Sequence, residues 1–221
     1  MILADTRNKM FYNLTKRLID TFGAIVGLIV FAPVFLITII AVELDSPGPI
    51  LADTPKRVGK NGKEFKFLKF RSMIPNAHQL LHTDPRFKKL LEEYKKSSFK
   101  LHDDPRITRV GKFIRKHSID ETPQFFNVLR GEMSLVGPRA YYPFELEEQQ
   151  KKYPQTKELV REVLEVKPGI TGPWQVSGRS EINFDKRIEM DAKYARRRSI
   201  VYDLIILIKT PMAMITGKGA V

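Results

Sequence analysis

Residues Thr21 to Val42 form a run of 22 residues without a charge, TFGAIVGLIVFAPVFLITIIAV. As one helix it would be roughly 33 Å long, enough to cross the hydrocarbon core of a bilayer. A soluble core helix of such uniform hydrophobicity is unusual. A cleaved signal peptide fits poorly, because the run exceeds the usual apolar region and no small-x-small site follows it. Pro33 stands in the middle. There it removes a helix hydrogen bond and clashes with the preceding turn, at a cost of about 3 kcal/mol, so a kink is expected. Both flanks are basic. Residues 1–17 carry Arg7, Lys9, Lys16 and Arg17 against Asp5. Residues 51–72 carry Lys56, Arg57, Lys60, Lys63, Lys66, Lys69 and Arg71 against Asp53 and Glu64. The positive-inside rule wants both flanks in the cytoplasm. Two arrangements stay open: a helix bent at Pro33 that enters and leaves by one leaflet, or a kinked helix that crosses.

The remainder of the chain is of a different kind. Of 221 residues, 29% are charged and 43% hydrophobic. That excludes a polytopic membrane protein and a mainly disordered chain, and leaves room for one domain plus an anchor. The formal net charge of +13 asks for a polyanionic partner: nucleic acid, anionic lipid or a phosphorylated substrate. The chain has no cysteine, so a disulfide framework, a thiolate zinc site and a cysteine nucleophile are excluded.

After the turn-rich Leu44–Pro49, segments Ile50–Val58 and Glu64–Met73 flank Gly59-Lys60-Asn61-Gly62 and read as a β-hairpin. Pro75–Tyr94 is amphipathic and helical, broken at Asp84-Pro85. His78 and His82 stand four apart on it, but no Glu follows the first, so they read as a polar helix face rather than a zinc site. Val110–Lys116 is a short basic helix and Pro123–Leu129 another helix. Pro143–Val166 is helical with a break at Tyr153-Pro154, and Lys167–Ser180 reads as loop. Phe184–Arg198 is helical. Ile200–Ile215 is apolar on most sides and reads as an interfacial or docking helix.

No P-loop, GxGxxG, D-x-D or GxSxG is present. Asp120-Glu121-Thr122-Pro123 offers different chemistry. Thr122 as N-cap with Pro123 at the first helical position would put both carboxylates at a helix N-terminus, where negative charge is favoured. An ionised Asp can attack phosphorus, and a neighbouring Glu can help hold a divalent metal. Arg115 lies just upstream. The same residues also satisfy a capping pattern, Ser118-x-x-Glu121, with no catalytic role. Two glycine-punctuated stretches end in Arg139 and Arg179, residues suited to gripping phosphate. With Lys69 and Arg71 of the hairpin they can line a basic pocket around the dyad.

Taken in order, KFRSM (69–73), DPRITRVGKFIRKHSIDETPQ (104–124), FNVLRGEMSLVGPR (126–139) and KPGITGPWQVSGR (167–179) closely resemble the bacterial sugar transferase family. These are the monotopic polyprenyl-phosphate phosphoglycosyl transferases, and the resemblance runs from about residue 11 to the C-terminus. It implies an α+β, mainly helical fold: a re-entrant membrane helix at about 18–42, a small β-hairpin, and amphipathic interfacial helices around a cytoplasmic-face active site. Residues 1–45 would be the anchor segment and 46–221 the catalytic domain. It implies transfer of a sugar-1-phosphate from a UDP-sugar to polyprenyl phosphate at the bacterial cytoplasmic membrane, with UMP leaving. Asp120 would be the nucleophile that forms a phosphosugar-enzyme intermediate, and Asp120 with Glu121 would bind Mg²⁺. Lys69, Arg71, Arg115, Arg139 and Arg179 would contact phosphate or nucleotide. Anionic membrane lipid is a further expected partner, nucleic acid is not, and homodimerisation is left open. The family breaks its anchor at Ser-Pro; here the pair is Ala32-Pro33, so the proline remains and the serine hydroxyl is gone. Residues 84–103 look longer and more charged than in the smallest members. A non-catalytic basic scaffold on the membrane is the competing reading. It explains the charge and the anchor but not the ordered motifs.

Overall fold

The computed structural model describes residues 2–96, 101, 103–178 and 182–216. The chain opens with two helices, α1 (Ile2–Val30) and α2 (Ala32–Asp45). No single described helix is long and apolar enough to cross a membrane, but Met10–Val30 and Ala32–Asp45 pass that test together, bent by 60°. The helical segment extends beyond the expected membrane part on the N-terminal side, and the interruption lies at Phe31, next to the Ala32-Pro33 pair. Pro33 lies in the first turn of α2, where its missing N–H would have had no partner in any case.

A short hairpin follows, β1 (Arg57–Val58) pairing antiparallel with β2 (Glu64–Phe65) across a one-turn 3₁₀ helix at Lys60–Gly62. The paired arms are shorter than the sequence suggests, although a bridge between Leu51 and Phe70 extends them. Phe65 and Phe67 face the core while Glu64 and Lys66 are exposed, the alternation of a half-buried strand. Helix α3 (Ala77–Thr83) and α4 (Lys88–Lys96) are separated at Asp84-Pro85 as expected. Then come α5 (Arg109–Lys116), a one-turn 3₁₀ helix at Ile119–Glu121, and α6 (Gln124–Leu129). Helices α7 (Pro143–Lys152) and α8 (Lys157–Val163) flank the Tyr153-Pro154 break. The chain ends in α9 (Phe184–Arg197) and α10 (Ile200–Thr216).

The stretch read as a loop after Lys167 contains a strand, β4 (Gly169–Thr171), parallel to β3 (Ser134–Val136). The approach is so close that a Cβ on Gly169 would collide with the backbone N of Gly137. Glycine on both chains is therefore what permits this pairing.

The core around this pair contains Phe65, Phe67, Val128, Met133 and Tyr194, and Ala24 of α1 is fully buried within it. A second cluster joins α7, α8 and α9 through Leu146, Val160, Phe184 and Ile188. A third packs Val42 of α2 onto Phe70 and Ile114. Large apolar side chains stay exposed on α1 (Leu18, Phe22, Ile29), α2 (Ile37, Ile40) and α10 (Val201, Ile208, Met212). Apolar faces of this extent mark contact with a membrane or another protein.

Candidate active site

Asp120 and Glu121 lie within the single 3₁₀ turn that links α5 to α6. Thr122 is not an N-cap: its backbone is already helical (φ −60°, ψ −28°), and its hydroxyl donates to Ile119 O at 2.7 Å. Nor does the Ser118 side chain cap the turn; Ser118 instead adopts the left-handed conformation, φ 55°. Two tight turns in succession leave no room for the extended N-cap geometry that the sequence suggests.

The charge of the dyad is met by a side chain. Lys69 Nζ stands 2.7 Å from Asp120 Oδ2 and 3.7 Å from Glu121 Oε1. The strand carrying Lys69 is joined to the dyad by its backbone, Phe70 N donating to Asp120 O at 2.8 Å. Asn127 of α6 holds the same strand from the other side. Its Oδ1 accepts from Leu68 N at 3.0 Å, and its Nδ2 donates to Lys66 O at 2.8 Å.

The two carboxyls are driven apart. Asp120, with a side chain only 2% exposed, is pushed above the usual carboxylate range by burial and by Glu121, against the pull of Lys69 and Arg115. Burial works on Glu121 in the same direction. Lys69, Arg139 and the neighbouring Gln124 amide outweigh it and hold Glu121 below that range.

The dyad sits in a cavity of about 560 Å³. Its lining combines the cations Arg57, Arg115 and Arg139 with the apolar Phe31, Phe125, Leu207, Pro211 and Met214, drawn from the bend of the α1–α2 pair, α6 and α10. Arg139 is placed by its backbone N–H, which donates to Asp191 at 3.0 Å, and its guanidinium lies 5.0 Å from the Trp174 ring centroid. Beneath it, the buried Arg187–Glu145 ion pair (2.9 Å) braces α9 against α7.

Arg71 lines the cavity, but its guanidinium turns to the end of α2. It donates to Pro47 O and Ser46 O at 2.6 Å and to Val42 O at 3.2 Å. It thus binds carbonyls that the helix end leaves unsatisfied. Arg179 lies outside the described residues. His78 is half-buried, with its ring 4.9 Å from that of His82 and stacked on Phe144. Among the cavity residues not singled out from sequence as site residues are Arg57, Tyr94, Tyr142 and Trp174. Tyr94 comes from the charged 84–103 segment, which therefore contributes to the cavity wall. Nothing local in the sequence sets these four apart: the aromatics look like core residues, and Arg57 is one cation among several in the basic hairpin.

Among the described residues no three His, Asp or Glu side chains converge as a metal cluster. Asp120 and Glu121 still fit Mg²⁺. That ion often takes only one or two carboxylates and fills its remaining positions with water and substrate phosphate. Asp120 Oδ2 is buried without a hydrogen bond, and its one close partner is the Lys69 ammonium.

Comparison with known proteins agrees with this architecture. The family model for bacterial sugar transferases matches residues 11–217. The UDP-galactose-lipid carrier transferase of Erwinia amylovora is 42% identical over 209 residues, 93% of this chain and 41% of its own length. The undecaprenyl-phosphate galactose phosphotransferase of Salmonella typhimurium is also 42% identical over 209 residues, again 93% and 41%. The exopolysaccharide production protein ExoY of Sinorhizobium fredii is 38% identical over 207 residues, 94% of this chain and 88% of its own. The chain thus spans less than half the length of the first two. With ordered motifs, a matching family model and relatives of this identity, the chain belongs to the bacterial sugar transferase family.

Proposed function

We propose that the chain transfers a sugar-1-phosphate from a UDP-sugar to a polyprenyl phosphate, with UMP as the leaving group. One observation carries this reading. A buried aspartate stands 2.7 Å from a lysine ammonium in a cavity lined by both arginines and large apolar side chains. The arginines suit a diphosphate, and the apolar residues suit a lipid that must bring its phosphate to the same place. The Erwinia and Salmonella relatives are named for a UDP-sugar donor and an undecaprenyl phosphate acceptor, which supports both substrates.

The chemistry runs in two displacements. An Asp120 oxygen attacks the sugar-bearing phosphorus of the donor. An O–P bond forms, the bond to the bridging oxygen breaks, and UMP departs with that oxygen. A phosphate oxygen of the acceptor then attacks the same phosphorus, and Asp120 leaves as carboxylate. Covalent catalysis of this kind divides one exchange between diphosphates into two steps at one site. Lys69 keeps Asp120 oriented and offers positive charge where negative charge develops. Arg115 and Arg139, with Arg179 by resemblance, grip phosphate oxygens. Asp120 and Glu121 would hold Mg²⁺, which supplies charge neutralisation on the diphosphate.

The bent helix pair is read as a re-entrant anchor comprising residues 1–45, with 46–221 as the catalytic body on the cytoplasmic face. Both limbs of the pair bind the same body. Arg17 and Asp20 of α1 bond to α6 and β3, and the end of α2 is held by Arg71. That arrangement favours entry and exit on one side.

The test is UMP release from a panel of UDP-sugars with polyprenyl phosphate and Mg²⁺. It is paired with intact-mass analysis of protein exposed to donor alone. The expected results are UMP with at least one donor and a phosphosugar adduct. Absence of UMP with every donor overturns the function; UMP without an adduct under rapid quench overturns the covalent route.

A further inference from the structure

A second concentration of positive charge lies apart from the catalytic cavity, and none of its members lines that cavity. It gathers at Gly131, just past the C-terminal end of α6. Arg17 of α1 donates to Val128 O at 2.6 Å and to Leu129 O at 2.9 Å, which fixes its guanidinium there. Gly131 has φ 77°, and a Cβ on it would stand 3.5 Å from Lys167 Nζ and 3.9 Å from the Arg17 guanidinium carbon. Both cations therefore face the same glycine. Lys60 stands exposed on the hairpin turn, which is pinned by Asn61 N donating to Leu164 O at 2.6 Å, and its charge acts on Lys167.

No ion pair to Arg17, Lys60 or Lys167 occurs among the described residues. Glu132, next to Gly131, accepts from Asn127 at 2.6 Å. Lys167 is half-buried. Burial lowers its affinity for a proton, and Arg17, Lys60 and Lys16 lower it further, against the pull of Asp20. Asp20 is already committed to Lys16, the Ser134 hydroxyl and Leu135 N–H. Like charges held together by the fold and left unneutralised are costly unless an anion completes them.

The surroundings indicate which anion. Arg17 precedes the uncharged run at Thr21 by about one helical turn, so it stands where α1 would meet the head-group layer. Leu14 and Leu18, on the same stretch of helix, are 61% and 63% exposed and give acyl chains a surface beside the cations. We infer that Arg17, Lys60 and Lys167 form a site for the phosphate of an anionic membrane phospholipid, separate from the site of sugar transfer. The inference stands whether or not the chain transfers sugar phosphate. It requires only that the α1–α2 pair enter a bilayer.

Native mass spectrometry of the full chain in neutral detergent tests it, with phosphatidylglycerol, phosphatidylcholine and inorganic phosphate as separate probes. Phosphatidylglycerol should be retained at least about 10-fold better than phosphatidylcholine. The preference should vanish in Lys60→Gln/Lys167→Gln and return in Lys60→Arg/Lys167→Arg. Lys88→Gln/Lys89→Gln, which removes the same charge from α4, should keep it. Should the double glutamine variant not melt cooperatively, Lys60→Gln alone, at an exposed position, should lower retention several-fold. Equal retention by the native chain and the Lys60 variants overturns the site. An equal loss in the α4 variant overturns it in favour of overall charge. Inorganic phosphate displacing the lipid at equal concentration overturns the phospholipid as occupant.

Discussion

The proposed mechanism asks Asp120 to be both buried and nucleophilic, and these demands conflict. Burial favours the protonated form, whereas attack on phosphorus needs the carboxylate. Lys69 at 2.7 Å is the residue that reconciles them. Two outcomes follow at this scale. Asp120→Asn should lower UMP release by more than ~10³-fold, since an amide does not attack phosphorus, and should show no adduct by intact mass. Lys69→Met keeps side-chain length without charge. It should lower kcat roughly 10²-fold, the usual cost of one electrostatic partner, with a smaller change in KM. Turnover near that of the native chain would remove Lys69 from the chemistry. The dyad stood out in sequence as adjacent carboxylates before Thr-Pro, but on that pattern alone it reads as a helix cap, and only the surrounding ordered motifs and the resemblance they carry gave it the proposed role. What holds it was not legible there. Lys69 and Asn127 act across the fold, and Arg71, which resembles Lys69 in sequence, is claimed by the carbonyls that end α2.

At the scale of elements, the bent pair is fastened at its break. Phe35 of α2 packs edge-on against Phe70 at 5.2 Å, and Phe31 at the break lies 6.1 Å from Phe125 of α6. The residues flanking Lys69 and following the dyad therefore rest on the bent pair, so the anchor proposed above would set the position of the site. The native chain lacks cysteine, so single cysteines report topology directly. Asn13→Cys and Lys63→Cys should both react with an impermeant maleimide in inverted membrane vesicles and neither in intact spheroplasts. Reaction from opposite sides would establish a crossing helix. Helices such as α5 and α9 were legible, and so were the breaks at Asp84-Pro85, between α3 and α4, and at Tyr153-Pro154, between α7 and α8. The β3–β4 pair was not. Three residues are too few to display an alternation, and the glycines that permit the close approach are the same signal that marks a loop.

Over the whole molecule, buried polar contacts rather than one continuous apolar core join the parts. Lys16 bridges Asp20 and Asp203 at 3.2 Å each, and Tyr194 donates to Asp203 at 2.6 Å, tying α1 to α9 and α10. Asp191 makes a similar link between α9 and the loop carrying Arg139, and it gives folding stability a pH dependence. Burial raises it to about 6, even though the Arg139 amide, the Tyr141 hydroxyl and the charges of Arg187 and Arg139 pull it down. In the unfolded chain an aspartate titrates near ~3.9. Between these values the native state holds a proton that the unfolded state has released. Stability contributed by this group is therefore full below about pH 4, falls as pH rises to about 6, and is flat above, with a total loss of up to about 3 kcal/mol. Asp191→Asn removes the titration while its carbonyl oxygen can still accept from Arg139 N and Tyr141 OH, which stand 3.0 and 2.9 Å from the native carboxylate. Thermal melts in detergent should show variant and native chain nearly equal at pH 4 and the variant more stable at pH 7.5. Melting temperatures that run parallel across this range would show that Asp191 is ionised alike in the folded and unfolded chain.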